Sequence, residues 1–491
     1  MHGMEKSDLP IVPTKSANRV AQAAAESTEG RGGTKGNAGL QSTVRTQSRA
    51  AVSHAQKRIR EAVNRNRKEK LTALLHHVTV DFLRAAFLGL KRRAAAGIDA
   101  VTWEQYAEGL EENLRDLHRR LRSGAYRALP ARRTYIPKAD GKQRPLGIAA
   151  MEDKIVQAAV VMLLTPIYEA EFLGFSYGFR PGRSQHDALD ALAYGIKGRY
   201  IWWVLDADIR SFFDSISHKW LIRFVEHRIG DRRIIRLIQK WLSAGVLEQG
   251  TWSVTETGTP QGAVISPLLA NIYLHYVYDL WAQAWRKRQA AGDMIVIRYA
   301  DDTIVGFQHQ HDAELFLHDL KERLAKFALA VHPDKTRLIE FGRFAAERRA
   351  NRGEPKPETF DFLGFTHICG TKRNGQGFQL RRKTKRKRKQ ALLNEIAAEL
   401  RRIRHAPIDE QGQWLASVLR GHYAYFAVPT NLPSVRAVRH QVKVRWFLNL
   451  QRRSQRRLKW RRMNVIVDKY LPTPGVQHPW PEQRFLVKHA R

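Results

Sequence analysis

Short apolar runs separated by polar turns dominate the middle of the chain, between residues 131 and 370. The runs YIWWVLDADI (200–209), IVIRY (295–299) and TIVGF (303–307) have the length and the β-branched and aromatic content of strands. Segments with helical spacing lie between these runs. The pattern therefore predicts an α+β region in which strands and helices alternate.

The flanking regions follow a different pattern. Helical spacing dominates residues 56–130, where Thr102 and Gln105 form a predicted capping box after a turn at Gly97. Eight of the nine residues of RRKTKRKRK (381–389) are basic, and helical spacing with scattered tryptophans follows. We therefore expect a flexible basic arm (1–55), a helical extension (56–130), a mixed region (131–380) and a helical C-terminal region (381–491).

The net charge of the chain indicates which kind of partner it binds. There are 84 lysines and arginines against 47 acidic residues, a formal charge of +37. Such an excess is self-repulsive unless a polyanion neutralises it, and nucleic acid is the obvious one. The single cysteine, Cys369, excludes a disulfide framework. The most hydrophobic stretch (155–168) is short and interrupted, so we expect no membrane span and a reducing, cytoplasmic location.

Against this positive background, adjacent carboxylates stand out in MIVIRYADDTIVGF (294–307). Its two apolar runs each have the length of a strand, so the stretch predicts a β-hairpin with Asp301 and Asp302 at its tip. A pair of aspartates in a turn is, by itself, ordinary turn chemistry.

A second strand changes this interpretation. The run WVLDADIRSFFD ends in Asp206 and Asp208, which period-two alternation places on one face. Carboxylates gathered on neighbouring strand ends repel one another unless cations neutralise them, and hard divalent cations such as Mg²⁺ prefer oxygen ligands. The sequence therefore predicts a metal site that could serve phosphoryl transfer.

With these residues in view, the chain resembles the reverse transcriptases of bacterial group II introns. Tyr299–Asp302 matches the YxDD signature of that family. The other matching segments occur in the family's order: IPKADGKQRPLGIAAMEDKIVQ (136–157), FSYGFRPGRSQHDAL (175–189), DADIRSFFDSISH (206–218), GTPQGAVISPLLANIYLH (258–275), DKTRLIEFG (334–342), FDFLGF (360–365), VLRGHYAYFAVPTN (418–431) and HPWPEQRF (478–485). The resemblance covers residues 29 to 485.

The resemblance implies a right-hand polymerase: fingers and palm built on an antiparallel sheet packed against helices, then an α-helical thumb or maturase domain. It makes Asp208, Asp301 and Asp302 the catalytic residues and places the metal at these three and Ile209, with Asp206 as a neighbour. The implied nucleotide-binding residues are Lys138, Arg144, Phe213, Gln261, Gly262 and Lys335. Phe213 falls where the family excludes a ribose 2′-hydroxyl. We expect nucleic acid to contact Arg180, Arg183, Arg381, Arg382, Lys383, Arg420, Arg436 and Arg439.

The function that the resemblance implies is RNA-directed DNA synthesis from a primer 3′-hydroxyl with dNTPs and Mg²⁺. Its partners would be intron RNA, an RNA template and a DNA primer or target, with splicing and retrohoming as a second role. Two alternatives stay open: an RNA-binding splicing maturase with little polymerase activity, and a domesticated reverse transcriptase in DNA repair or phage defence. We expect no C-terminal HNH endonuclease domain, and the oligomeric state stays open.

Overall fold

The computed structural model describes residues 38–66, 69–137, 143–248, 251–253, 257–259, 262–372, 374–453 and 458–488. Of the predicted site residues, Lys138 and Gln261 lie outside these ranges. A long helix begins at Ala38. Residues 38–55 of the predicted basic arm are therefore helical, residues 1–37 lie outside the description, and the flexibility of the arm stays a prediction.

Helices open the described chain and lead into a small sheet. Their bounds are α1 (Ala38–Arg65), α2 (Val80–Gly89), α3 (Trp103–Glu108) and α4 (Leu110–Ser123), with a 3₁₀ turn at Leu75–His77. The predicted capping box is confirmed: the Gln105 amide donates to Thr102 Oγ1 (3.2 Å), and the Thr102 amide donates to Gln105 Oε1 (2.8 Å). Strands β1 (Ala131–Pro137) and β2 (Gln143–Ile148) then pair in antiparallel register.

The central region contains the palm sheet, whose strands are β3 (Trp203–Asp208), β6 (Met294–Tyr299), β7 (Asp302–Phe307) and β8 (Arg337–Glu340). The strand order is β6-β7-β3-β8, and every neighbouring pair is antiparallel. Two short strands, β4 (Val246–Glu248) and β5 (Thr251–Ser253), extend the fingers sheet, in which β4 runs parallel to β1. The helices are α5 (Met151–Glu171), α6 (Gln185–Gly198), α7 (Phe212–Ser215), α8 (His218–Arg228), α9 (Arg232–Ser243), α10 (Ser266–Leu274), α11 (Leu280–Arg288), α12 (Gln310–Ala325) and α13 (Ala345–Asn351).

A third sheet joins the palm to the C-terminal helices. It consists of β9 (Phe360–Phe362), β10 (Phe365–Thr371) and β11 (Phe378–Thr384), in the order β11-β10-β9. The helices that follow are α14 (Arg386–Arg402), α15 (Ile408–Phe426), α16 (Leu432–Gln451), α17 (Trp460–Tyr470) and α18 (Pro481–Lys488). The predicted boundary at residue 380 therefore falls inside a strand.

Both faces of the palm sheet are buried. Along β6, Met294 and Val296 belong to a core shared with the N-terminal helices, whereas Ile295 and Ile297 belong to a core shared with α6 and the C-terminal helices. Successive side chains of a strand point to opposite faces, so a sheet covered on both sides requires a continuous apolar run. This is the physical reason for the uninterrupted MIVI sequence.

The architecture agrees with the expected α+β fold, in which sheet-containing fingers and palm are followed by helices. The C-terminal helices do not form a separate core, because Trp446 and Leu415 pack in the same cluster as palm residue Ile304. None of the helices in the described part of the chain is long and apolar enough to span a membrane.

Two leucines of α16 test the shared core. Leu450 is 7% exposed and Leu448 is 49% exposed. We expect Leu450→Ala to cost about 2–5 kcal/mol because it leaves a cavity, and Leu448→Ala to cost no more than about 0.5 kcal/mol. Thermal unfolding followed by circular dichroism measures both, and equal shifts in Tm would contradict the burial described here.

Candidate active site at the strand ends of the palm

The hairpin that carries the adjacent aspartates has the predicted form. Strands β6 and β7 pair in antiparallel register down to Tyr299 opposite Asp302, and Ala300 and Asp301 form the two-residue turn. Ala300 has a φ of 57°. Two-residue hairpins use positive φ at the first central position because it matches the twist of the strands. The turn thus presents Asp301 and Asp302 at the end of the sheet.

A buried arginine binds this turn from the interior of the protein. Arg298 is 1% exposed, and its guanidinium makes a bidentate pair with Asp279, at 2.6 Å to each carboxylate oxygen. The same guanidinium donates to the carbonyl of Ala300 (2.9 Å), to Asn271 Oδ1 (3.1 Å) and to Ser176 Oγ (2.7 Å). An arginine with its donors satisfied in a fixed plane is a rigid support.

The residues that surround this arginine and the turn come from distant parts of the chain. Asp279 ends a π-helical turn, His275–Asp279, inserted between α10 and α11. Gly178 packs so closely against the hairpin that a Cβ there would lie 2.3 Å from the Ala300 nitrogen. The carbonyl of Gly178 accepts a 2.7 Å hydrogen bond from Asn271. Only glycine fits at this position.

Strand β3 brings the other aspartates to the same edge. Asp208 lies opposite Asp302 in the antiparallel register, and Asp206 lies opposite Ile304 on one side and Arg337 on the other. Asp206, Asp208, Asp301 and Asp302 all line one open cleft, as the alternation predicted. The sequence prediction of a carboxylate cluster at neighbouring strand ends is therefore confirmed.

Burial in the cleft raises the pKa values of three of these aspartates. Withdrawal from water in the cleft, together with Asp301 and Asp208, raises the pKa of Asp302 to about 6. Withdrawal from water also raises the pKa of Asp301. Burial raises the pKa of Asp206 to about 7, with Arg337 acting in the opposite direction. Loss of hydration, with a smaller contribution from the neighbouring carboxylates, destabilises the ionised forms, and a bound cation would relieve both effects.

One lysine already provides part of this compensation. The Lys335 ammonium lies 2.6 Å from Asp208 Oδ2, and this hydrogen bond raises the lysine pKa. The His332 amide donates to the carbonyl of Asp208 at 2.7 Å, so the loop after Val331 runs alongside the end of β3. The lysine side chain is 62% exposed and is held only at its tip.

The cleft has a volume of about 890 Å³ and further predicted residues form its walls. These are Arg144 on β2, Phe213 on α7, Gly262 and Lys335. Phe213 is held by the segment 257–259, because the Thr259 amide donates to the Phe213 carbonyl at 2.8 Å. Ile209 is 8% exposed, directly after Asp208, and does not line the cleft.

The donor set suits a hard divalent cation in its chemistry, since the cleft edge offers aspartate oxygens and excess negative charge. Among the described residues, no group of three or more histidine, cysteine, aspartate or glutamate side chains is arranged to hold a metal ion. The fit therefore rests on the facing pair Asp208 and Asp302, with Asp301 adjacent in the turn.

Two of the arginines predicted to bind nucleic acid are structural instead. The Arg180 side chain is fully buried and pairs with Glu169 at 2.9 Å. The Arg382 side chain is 3% exposed and lies 3.4 Å from Asp190. Both predictions are wrong, because an enclosed guanidinium with a carboxylate partner cannot reach a phosphate. Arg381, Lys383, Arg420 and Arg436 are exposed, and Arg183 and Arg439 are half-buried.

A palm sheet with carboxylates at adjacent strand ends, between a fingers sheet and C-terminal helices, is the arrangement of a right-hand polymerase fold. Residues 136–367 match the family described as reverse transcriptase (RNA-dependent DNA polymerase). This part of the chain is thus similar to a reverse transcriptase domain, and the chain is similar in sequence to a group II intron-encoded protein and to an intron maturase.

Three curated proteins illustrate that relationship. Protein YkfC of Escherichia coli is 42% identical over 194 residues, which cover 38% of this chain and 50% of that protein. Group II intron-encoded protein LtrA of Lactococcus lactis is 38% identical over 224 residues, 44% of this chain and 37% of that protein. Nuclear intron maturase 2 of Arabidopsis thaliana is 33% identical over 96 residues, 20% of this chain and 13% of that protein. The chain spans half or less of the length of these relatives.

Sequence reasoning missed the residues that position the site. Arg298 and Asn271 carried a signal, since each is a polar residue inside an otherwise apolar run, IVIRY and LLANIY. Buried polar residues are rare unless they are paired, so each implied a partner. That the partner of Arg298 is Asp279 depends on the π-helical turn, and no spacing rule predicts that turn.

The support beneath the turn can be tested directly. We expect Arg298→Met to destabilise the protein by about 3–5 kcal/mol, because it leaves the Asp279 carboxylate buried without its partner. The control is Arg402→Met, which removes a 72% exposed arginine paired with Glu399 and should leave the stability of the protein nearly unchanged. Thermal unfolding compares them, and equal effects would show that Arg298 carries no special structural role.

Proposed function

We propose that this protein is an RNA-directed DNA polymerase that extends a primer 3′-hydroxyl with deoxynucleoside triphosphates. The observation that carries the proposal is the pairing of Asp208 with Asp302 across β3 and β7, with Asp301 beside them in one cleft. The match to the reverse transcriptase family over residues 136–367 supports it.

Asp208, Asp301 and Asp302 are the residues that would hold Mg²⁺, with Ile209 adjacent to the site. Bound there, two such ions would activate the primer hydroxyl and neutralise the charge that develops on the phosphates. The protein's own contribution is to keep three carboxylates at fixed strand ends despite their repulsion. The buried Arg298 beneath the turn and the hydrogen bond between Lys335 and Asp208 support that role.

The walls of the cleft suit a deoxynucleoside triphosphate. Arg144 and Lys335 face the cleft and would bind the triphosphate, the arginine through its fork of donors and the lysine as a point charge. Lys335 is held only at its tip, so it can turn from Asp208 to a phosphate. Lys138 and Gln261, outside the described residues, belong to the same proposal, as does Gly262. Phe213 would lie under the sugar and leave no room for a 2′-hydroxyl.

A second role, binding of intron RNA to assist splicing and retrohoming, is proposed on two grounds. Some relatives are named as group II intron-encoded protein and as intron maturase, and this chain has a formal charge of +37. Charge of this sign gives salt-dependent binding to phosphates. Intron RNA, an RNA template and a DNA primer are thus the proposed partners, in a bacterial cytoplasm.

The polymerase proposal is tested with dTTP, Mg²⁺ and poly(rA)/oligo(dT). We expect incorporation that EDTA abolishes and that Asp302→Asn lowers by about 100-fold or more, because the variant keeps the shape of the side chain and loses its charge. The matched control is Asp409→Asn, at a surface carboxylate that is 69% exposed. Tight RNA binding by the wild-type protein without incorporation would instead support a splicing maturase.

The role of Phe213 has a separate readout. We expect Phe213→Val to raise the use of rUTP relative to dTTP by about tenfold or more, because it removes the ring that would meet the 2′-hydroxyl. Phe213→Tyr keeps the ring and should keep the discrimination. Single-nucleotide incorporation kinetics measure the ratio, and an unchanged ratio in the valine variant would make Phe213 an ordinary packing residue.

A further inference from the structure

A second large depression lies at the far end of the β10–β11 hairpin, and we call it the basic groove. Its volume is about 850 Å³, and its lining includes Lys197, Arg343, Phe344, Lys356, Lys372 and Arg381. It shares no lining residue with the active-site cleft. The cleft borders this hairpin at Gly364 and the groove borders it from Ile368 onward, which at the rise of a strand is a separation of about 13 Å.

The charge of the basic groove is one-sided. Five of its lining residues are lysine or arginine, and Glu347 is the one acidic residue among them. Lys197 pairs with Glu482. Arg343, Lys356, Lys372 and Arg381 make no ion pair with a carboxylate among the residues that the structure describes.

The active-site cleft differs in this respect. There, Lys335 pairs with Asp208, and Lys385 pairs with Asp361 at 2.9 Å. The lysines of the cleft therefore have carboxylate partners within the protein, whereas four cations of the basic groove have none in the described part of the chain. Cations without such partners around one concave surface favour an anionic ligand that carries several charges.

Contacts with strand β10 hold one of these cations, Arg381, in place. A Cβ at Gly370 would lie 2.7 Å from Arg381 Nε, so the arginine side chain packs directly over the glycine. The Arg381 guanidinium also donates to the carbonyl of Thr371 at 2.7 Å. On β11, Arg381 and Lys383 point outward while Arg382 between them points inward to Asp190. Of the two arginines, only the outward one is available to a ligand.

The groove also offers an aromatic surface. Phe344 follows Arg343 directly and is 38% exposed. Phe378, the first residue of β11, also lines the groove. Contact with water does not stabilise an exposed phenylalanine ring, so a ligand that covers the ring would be favoured. A cationic groove with an accessible aromatic ring is the combination that binds single-stranded nucleic acid, since cations contact phosphates and the ring stacks on a base.

We propose that the basic groove binds a single-stranded segment of RNA, at a site separate from the polymerase cleft. Arg343, Lys356 and Lys372 contact its phosphates, and Phe344 stacks on a base. That the polyanion is RNA rests on the proposed function. The site holds RNA while the cleft is engaged with a primer and template.

Salt-dependent binding tests the proposed contacts between the cations of the basic groove and the phosphates of the RNA. The ligand is a fluorescein-labelled 12-nucleotide oligo(rU), and the cleft of the full-length protein is saturated with an unlabelled G·C-rich RNA–DNA hybrid. We expect Arg343→Gln/Lys356→Gln/Lys372→Gln to weaken binding by about tenfold or more. The slope of log Kd against log salt should fall by about two, since each phosphate neutralised on a single strand contributes about 0.7. Primer extension at saturating template should be unchanged.

The control removes the same charge elsewhere. Lys287→Gln/Lys321→Gln/Lys326→Gln alters three exposed lysines on α11, on α12 and at the end of α12. If this control weakens binding as much as the groove variant does, net charge explains the effect and the proposal is wrong. Equal loss of affinity for polyglutamate would make the groove a general anion surface and would also overturn it.

Photocrosslinking tests the position. Oligo(rU) containing 5-iodouridine should crosslink to the peptide that contains Phe344, and Phe344→Leu should remove that crosslink. Crosslinks confined to other peptides would refute the groove as the site. Failure of the wild-type protein to extend a primer would overturn the polymerase proposal and leave these binding results unaffected, so the two proposals fail separately.

Discussion

The geometry of the active-site cleft depends on one buried ion pair, between Arg298 and Asp279. A charge pair taken fully out of water is stabilising only when its remaining hydrogen-bonding groups are satisfied. Here Ser176, Asn271 and the Ala300 carbonyl complete that requirement. The pair therefore joins strand β6, which carries Arg298, to the π-helical turn that ends at Asp279. It ties the two-residue turn of the hairpin to α10 and to the loop before α6, so the aspartates at its tip have a fixed position.

The second constraint is that the palm sheet has no face open to water. Its two faces belong to different cores, one built with the N-terminal helices and one with α6 and the C-terminal helices. The C-terminal helices thus contribute to the stability of the sheet that carries the carboxylates. A change in that helical region can reach the active site through packing, without touching nucleic acid.

Much of this arrangement could be predicted from the sequence, because it depends on local patterns. The hairpin at Tyr299–Asp302, the shared face of Asp206 and Asp208, and the capping box at Thr102 all follow from period, turn chemistry and capping. The predicted boundary at residue 380 falls inside β11. A run of basic residues predicts a solvated segment, but here the first residues of the run belong to a strand whose alternate side chains point into the protein. The π-helical turn and the close packing of Gly178 could not be predicted, since both depend on tertiary contacts between distant segments.

The basic residues show most clearly where composition is insufficient. A formal charge of +37 predicts a polyanionic partner, but it does not say which cations meet that partner. The deciding property is whether a carboxylate of the same chain already neutralises each one. Arg180 with Glu169 and Arg382 with Asp190 are internal pairs, and their charges stabilise the fold. Arg381, one residue before Arg382, faces outward with no such partner among the described residues. Neighbouring arginines on one strand therefore have opposite surroundings, one exposed and one buried in an ion pair, and the direction of each side chain, set by the period of the strand, decides between them.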